Sequence, residues 1–372
     1  MFVPVSQPLI GKREREYVDR AIARGDISGL YGEYLPKFER TFAKFCGTKY
    51  AALVNSGTTA LHIAVAALGI GKGDEVLVQS FTNMATFFAV LYEGARPIPI
   101  DSEPDTLNID PTLLEKKITK RTKAIIVVHL YGHPVDMDPV MRIAKKHKLY
   151  VIEDAAEAHG ATYKGRKVGS IGDIGCFSFY SNKIITTGEG GAVTSNNKKL
   201  IERVKLLKNL AFGERDKFMH QALGYKFQMT NLQAAVGAAQ MTHVREILRQ
   251  KRAIAKYYLT HLKNIPEISL PVEKSYAHNV YWMFNIMLKG TLAGRREWFM
   301  HELRKRGVDT REDFVPFNQQ KIFIAQGLTK PGDCPVINRI YKNGLYIPSG
   351  TRISKKELAH VVKVITEVTA RA

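Results

Sequence analysis

Lys183 is the residue whose surroundings point most directly to chemistry. It follows an apolar, strand-like run, Gly175-Cys176-Phe177-Ser178-Phe179, that breaks at Tyr180-Ser181-Asn182. Thr186, Thr187 and the glycine cluster Gly188-Glu189-Gly190-Gly191 come next, and Ala192-Val193-Thr194 reads as a second short strand. A loop lysine is ordinarily a solvated charge. The upstream segment Tyr150-Val151-Ile152-Glu153-Asp154 changes that reading, because it is a buried-type strand ending in an acid, with Glu157 three residues on. A lysine amine can condense with an aldehyde, and a carboxylate beside a pyridine nitrogen keeps that nitrogen protonated. Together the two groups suit an electron-accepting cofactor such as pyridoxal phosphate.

Such groups need a scaffold that brings strand ends together. Strand and helix patterns alternate along the first half of the chain. Tyr50–Val54, Glu75–Val78, Pro97–Asp101, Lys123–Val128 and the Asp154 run read as strands. Helical patterns lie over residues 12–23, 35–46, 57–68, 85–92, 111–118 and 139–147. Continuous apolar strands in alternation with helices imply an α/β fold with a mostly parallel central sheet covered on both faces. Ligands of such sheets sit at the carboxyl ends of the strands, where Asp154 and Phe81 fall. Ser56-Gly57-Thr58 opens a helix directly after a strand, and free amides at a helix start, with a threonine hydroxyl, suit a phosphate as well as an ordinary cap. A long helix is expected from about Met229 past Arg252, and Val280–Leu288 reads as a strand. The pattern predicts a large domain over residues 1–249 and a smaller α+β domain over 250–372.

The run Phe177-Ser178-Phe179 through Asn182-Lys183 to Thr186-Thr187-Gly188-Glu189-Gly190-Gly191 resembles the lysine motif of the DegT/DnrJ/EryC1/StrS sugar aminotransferases, and most of all their perosamine-forming type. The resemblance extends from Pro8 to about Ile365. It implies fold type I of the pyridoxal-phosphate enzymes, like aspartate aminotransferase, with Lys183 holding the cofactor and moving the proton. It also implies Asp154 on the ring nitrogen, Glu157 by the phenolic oxygen (relatives often carry Gln there), and Phe81 stacked on the ring. Ser56, Gly57, Thr58 and Ser178 would hold the phosphate. Asn231 would reach the phosphate of a neighbouring subunit, so the resemblance implies a homodimer with shared sites. Lys226-Phe227-Gln228 stands where the family often shows Asn-Tyr-Arg. Relatives that carry His in place of the lysine act as dehydratases, and Lys183 favours transamination. A regulatory protein on the same fold is the alternative, against which the intact Lys183, Asp154 and Ser178 set argues.

The implied substrate is a nucleotide-linked 4-keto-6-deoxy sugar, the GDP-mannose-derived one, aminated at C4 with glutamate as donor. A UDP- or dTDP-linked keto-sugar is the alternative. The formal net charge of +20 suits a diphosphate without choosing a nucleotide. The glycine-rich segment Ser28-Gly29-Leu30-Tyr31-Gly32 is expected to let backbone approach a sugar ring, and residues 311–316 to lie near the substrate.

No basic run with interleaved aromatics points to nucleic acid. No apolar run is long enough for a membrane span, and the amino-terminal residues lack a signal-peptide pattern, so a cytoplasmic location is expected. Three scattered cysteines give neither a disulfide framework nor zinc spacing. His129 and His133 are separated by Gly132 and followed by Pro134, which argues against a metal pair, and no metal is expected.

Overall fold

The computed structural model describes residues 1–212, 216, 218–220 and 222–371. A seven-stranded sheet forms its centre. Across the sheet the order is Tyr50–Val54, Gly191–Ser195, Ile174–Ser178, Tyr150–Asp154, Thr122–Val128, Glu75–Gln79 and Arg96–Ile100. Only Gly191–Ser195 runs antiparallel to its neighbours; the other six strands are mutually parallel. Alternate side chains leave each strand on opposite faces. Val76, Val78, Ala124, Ile126 and Ile152 enter one apolar cluster with the helices Gly57–Ala67 and Ala85–Tyr92. Leu77, Ile125, Val127 and Val151 enter another with the helix Met137–His147. Both faces are therefore buried, as the unbroken apolar strands require.

The helix Gly57–Ala67 is mostly apolar, and every residue from Ala60 to Ala67 is buried. Burial of each large aliphatic side chain is worth about 1.5–3 kcal/mol, which fixes this helix and therefore its amino terminus. On the opposite face Phe38, Phe42, Phe177 and Phe179 pack between the sheet and the helices Tyr34–Cys46 and Asn231–Met241. A four-stranded antiparallel sheet follows, in the order Ile268–Ser269, Phe284–Leu288, Gly344–Ile347, Arg311–Glu312. Its core includes the helices Arg296–Lys305 and Lys355–Thr369. The helix Val244–Leu262 spans both parts: Val244 and Ile247 lie in the core with Phe179, while Ile254, Tyr258 and Leu262 lie in the core with Phe284.

Three expectations are corrected. Residues 111–118 form two 3-10 turns, Pro111–Leu113 and Glu115–Lys117, because Ile118 is extended and the Thr122 hydroxyl accepts from the Thr119 amide to start the next strand. The long helix after Met229 is two helices, Asn231–Met241 and Val244–Leu262. At the junction the Thr242 hydroxyl donates back to the Ala239 carbonyl, a contact that competes with helix continuation. The strand expected from Val280 begins at Phe284, since Tyr281 is left-handed at φ +49°. Residues 280–282 instead cross the Leu130–Gly132 turn, where Gly132 (φ +101°) leaves no room for a Cβ against the Tyr281 and Trp282 amides.

Candidate active site

The carboxyl ends of four strands meet at a cavity of about 270 Å³, lined by Ser56, Gly57, Thr58, Val128, Asp154, Glu157, Ser178 and Lys183 among others. Lys183 is brought in by a turn in which its amide donates to the Tyr180 carbonyl at 2.9 Å. Its Nζ lies 3.6 Å from the ring centroid of Trp282 and 4.0 Å from Glu157 Oε1. Trp282 is itself fixed by its indole N–H, which donates to the Asn182 carbonyl at 2.8 Å. Burial pushes the Lys183 amine below its ordinary range, against the pull of Glu157 and Asp154. A neutral amine is the nucleophilic form.

Asp154 ends its strand with its carboxyl buried. One oxygen accepts from the Thr86 hydroxyl at 2.8 Å and the other from the Ala156 amide at 3.2 Å. Burial raises its affinity for a proton, and these donors and Lys183 oppose that. Glu157 lies in the turn after the strand. Burial outweighs Lys183 and the Tyr131 amide, and its carboxyl is pushed up to about 7. Two buried acids held by so few donors, beside an amine mostly withdrawn from solvent, form the kind of perturbed cluster that marks a functional cavity.

The opposite wall is the start of the helix Gly57–Ala67. Ser56 caps it, its Oγ accepting from the Thr59 amide and the Thr59 hydroxyl accepting from the Ser56 amide, both at 3.1 Å. The preceding amides, of Gly57 and Thr58, lie at the cavity wall and precede the first intrahelical bonds. A Cβ on Gly57 would come within 2.6 Å of the Ser178 side chain, so glycine allows helix start and strand end to close one cradle. This donor set fits a phosphate, and the amine with its paired acids fits a pyridine aldehyde.

Two of the residues singled out from sequence are not brought into the cavity. Phe81 is fully buried behind it, its ring 6.1 Å from that of Phe314, which does line the wall. Asn231 is fully buried and engaged within its own chain. Its Oδ1 accepts from the Tyr34 and Leu35 amides at 3.0 and 3.2 Å, and its Nδ2 donates to the Asp26 carbonyl at 2.6 Å. The close backbone approach at Gly32 is made to this side chain, since a Cβ there would overlap the Asn231 amide. Lys226 and Gln228 bond to each other beside Asn55. Phe314, within the 311–316 segment expected near the substrate, does line the wall, whereas sequence reading missed Thr86, Trp282, Tyr131 and Tyr346. Trp282 is one of only two tryptophans, and that rarity was the available signal. The three cysteines are free and buried, and no cluster of metal-ligating side chains occurs among the described residues. No helix there is long and apolar enough to cross a membrane.

Comparison with known proteins agrees with this geometry. The DegT/DnrJ/EryC1/StrS aminotransferase family pattern matches residues 8–366. The chain belongs to that family. It is 38% identical to GDP-perosamine synthase of Caulobacter vibrioides over 98% of both chains, and 37% identical to the Escherichia coli O157:H7 protein of that name, again over 98% of both. It is also 37% identical to a dTDP-3-amino-3,4,6-trideoxy-alpha-D-glucose transaminase of Streptomyces venezuelae, over 96% of this chain and 93% of that one. Among solved structures, an aminotransferase of Psychrobacter cryohalolentis superposes with a TM-score of 0.92 at 31% identity, covering 100% of this chain and 99% of its own. The chain is an α/β aminotransferase of the sugar-modifying kind.

Proposed function

We propose that this aminotransferase uses pyridoxal phosphate to move an amino group from glutamate to C4 of a nucleotide-linked 4-keto-6-deoxy sugar, the GDP-mannose-derived one, giving GDP-perosamine. The observation that carries the chemistry is the Lys183 amine, mostly withdrawn from solvent and lowered in basicity, facing Asp154 and Glu157 in one cavity whose other wall is a helix start. The choice of sugar is supported by likeness to the two GDP-perosamine synthases.

Pyridoxal phosphate, when bound, supplies an electron sink that makes the α-hydrogen of an amino acid removable, and it carries the amine between donor and acceptor. Lys183 Nζ would hold the cofactor, and as a neutral amine it would take the proton from the donor's α-carbon as base and give that proton back as acid. Asp154 would pair with the ring nitrogen and keep it protonated, its carboxylate charged, and the ring's positive charge would offset the cost of burying that carboxylate. Glu157 would face the phenolic oxygen, and Ser56, Gly57, Thr58 and Ser178 would hold the phosphate. Trp282 over Lys183 excludes water from the amine. The exposed apolar side chains Ile22, Ile27, Leu30 and Tyr31 support assembly as a homodimer, for which sedimentation is the check.

The Streptomyces venezuelae relative supports a second reading, a dTDP-linked sugar aminated at C3. The deciding experiment compares kcat/KM for GDP-, UDP- and dTDP-linked 4-keto-6-deoxy sugars and for a dTDP-linked 3-keto sugar, with glutamate as donor, reading the amine position by NMR. Preference for the GDP sugar with the amine at C4 is expected. Faster turnover of a UDP or dTDP sugar, or an amine at C3, overturns the assignment.

A further inference from the structure

Tyr131 has no part in the roles given above, yet it contacts Glu157, Trp282 and Phe314, three residues that line the cavity. It is the middle residue of the turn Leu130–Gly132, with φ +53°, a left-handed conformation that bulky side chains rarely adopt. Such strain persists only where surrounding contacts over-determine it. Here there are three. The Tyr131 amide donates to Glu157 Oε2 at 2.8 Å. The hydroxyl donates to Asp313 Oδ1 at 2.9 Å, an oxygen that also accepts from Asn285 Nδ2. The ring lies nearly parallel to those of Phe314, centroids 6.0 Å apart, and Trp282, 6.5 Å apart. Trp282 is the ring that covers Lys183.

We propose that Tyr131 is a positioning residue for amino transfer. Its hydroxyl on Asp313 and its ring in the aromatic stack keep residue 131 left-handed, and that conformation aims its amide at Glu157 beside Lys183. This rests on the reading of the cavity as the amino-transfer site. Tyr131 then acts through Glu157, whose charged form an amide donor favours. The groups facing Glu157 are Lys183, which favours the same form, and Asp154, Asp313 and Tyr346, which oppose it together with burial. If residue 131 relaxes, the amide turns away, Glu157 holds its proton to higher pH, and Lys183 loses a nearby anion.

The test follows the Glu157 carboxyl by isotope-edited infrared spectroscopy of the cofactor-free protein, with the band assigned by its loss in Glu157→Gln. Tyr131→Ala and Tyr131→Gly both remove the ring and hydroxyl, but only glycine takes a left-handed φ without steric cost. The expected result is a midpoint raised by about one pH unit in Tyr131→Ala, the loss of one hydrogen bond to the charged form, and little changed in Tyr131→Gly. An equal rise in both, or no rise in Tyr131→Ala, overturns the proposal. Tyr131→Phe keeps the ring and loses only the hydroxyl anchor, so it decides the matter if the smaller variants do not fold. A raised midpoint there supports the proposal and an unchanged one overturns it. Because no cofactor is present in this measurement, failure of the amino-transfer reading shows separately, as absence of pyridoxal phosphate binding while Glu157 still titrates as described.

Discussion

Glu153 and Asp154 are consecutive residues of one strand, both buried, and they have opposite surroundings. Glu153 points to the face where the chain supplies four donors. Its Oε1 accepts from the Ile171 and Gly172 amides at 2.7 Å, and its Oε2 from the Gly169 amide at 2.8 Å and from His129 Nε2 at 3.0 Å. His129 Nδ1 accepts from the Val135 amide, which places its ring proton on Nε2. Asp154 points to the other face, where Thr86 and Ala156 supply two donors and its carboxyl also borders the cavity. One acid is saturated by its own chain and the other is left with capacity for a ligand. Buried polar groups are ordinarily satisfied. The pair therefore separates an acid that builds the fold from one that awaits a partner, within 3.8 Å of backbone.

Four substitutions sharpen or break that contrast. Lys183→Ala has the largest expected effect. Turnover falls by more than about 10³-fold, as expected for loss of the acid–base group, and the cofactor's visible absorbance is lost on the purified protein. Retained turnover would remove Lys183 from the mechanism. Asp154→Asn comes next: kcat falls by on the order of 10²–10³-fold with thermal stability unchanged or higher, because a neutral side chain relieves buried charge. Glu153→Gln should show the reverse. Stability drops by about 2–4 kcal/mol, read by denaturant unfolding, since an amide nitrogen would face backbone donors, while turnover per folded molecule stays near that of the unaltered protein. If the two variants behave alike, the contrast between the faces fails. Glu157→Gln has the smallest effect on turnover, within about tenfold, because an amide can still meet a phenolic oxygen. Its clearer signature is pH dependence. With the folded value at about 7 and the ordinary value at 4.5, the folded state holds the extra proton between those limits. The unaltered protein therefore loses stability as pH rises through that window, and Glu157→Gln loses less.

Much of this was legible in the sequence, for reasons that differ between fold and site. Unbroken apolar runs such as Ala124–Val128 imply strands buried on both faces, and the sheet carries them so. The helices over 12–23 and 85–92 end where the sequence pattern ends. Asp154 and the Ser56–Thr58 helix start were readable because each lies at a strand end, and strand ends of a parallel sheet converge; Lys183 was singled out by the break after its strand, and Glu157 and Ser178 by the family resemblance. Trp282, Asp313 and Tyr131 were not readable as neighbours. They come from three distant segments joined by the crossing of residues 280–282 over Gly132, which depends on left-handed residues at 131 and 281. Local propensity argues against both conformations, so only tertiary contacts select them. Asn231 shows the converse: a helix-start Asn readable as a ligand is spent on holding residues 26–35 of its own chain.

Lys183 is not the only lysine drawn in from solvent. Lys251 is buried and is pushed down to about 7, its Nζ donating to the Ser349 carbonyl, and with Lys183 it lines a small cavity behind the loop. The two differ in what surrounds the amine: Lys183 faces Asp154 and Glu157, while burial alone shifts Lys251. The most direct measurement is therefore borohydride reduction of the protein with pyridoxal phosphate, followed by peptide mapping. The account predicts the cofactor's mass on the peptide containing Lys183, and its disappearance when glutamate is added before reduction. A label on Lys251, or one on Lys183 that glutamate does not remove, would contradict it.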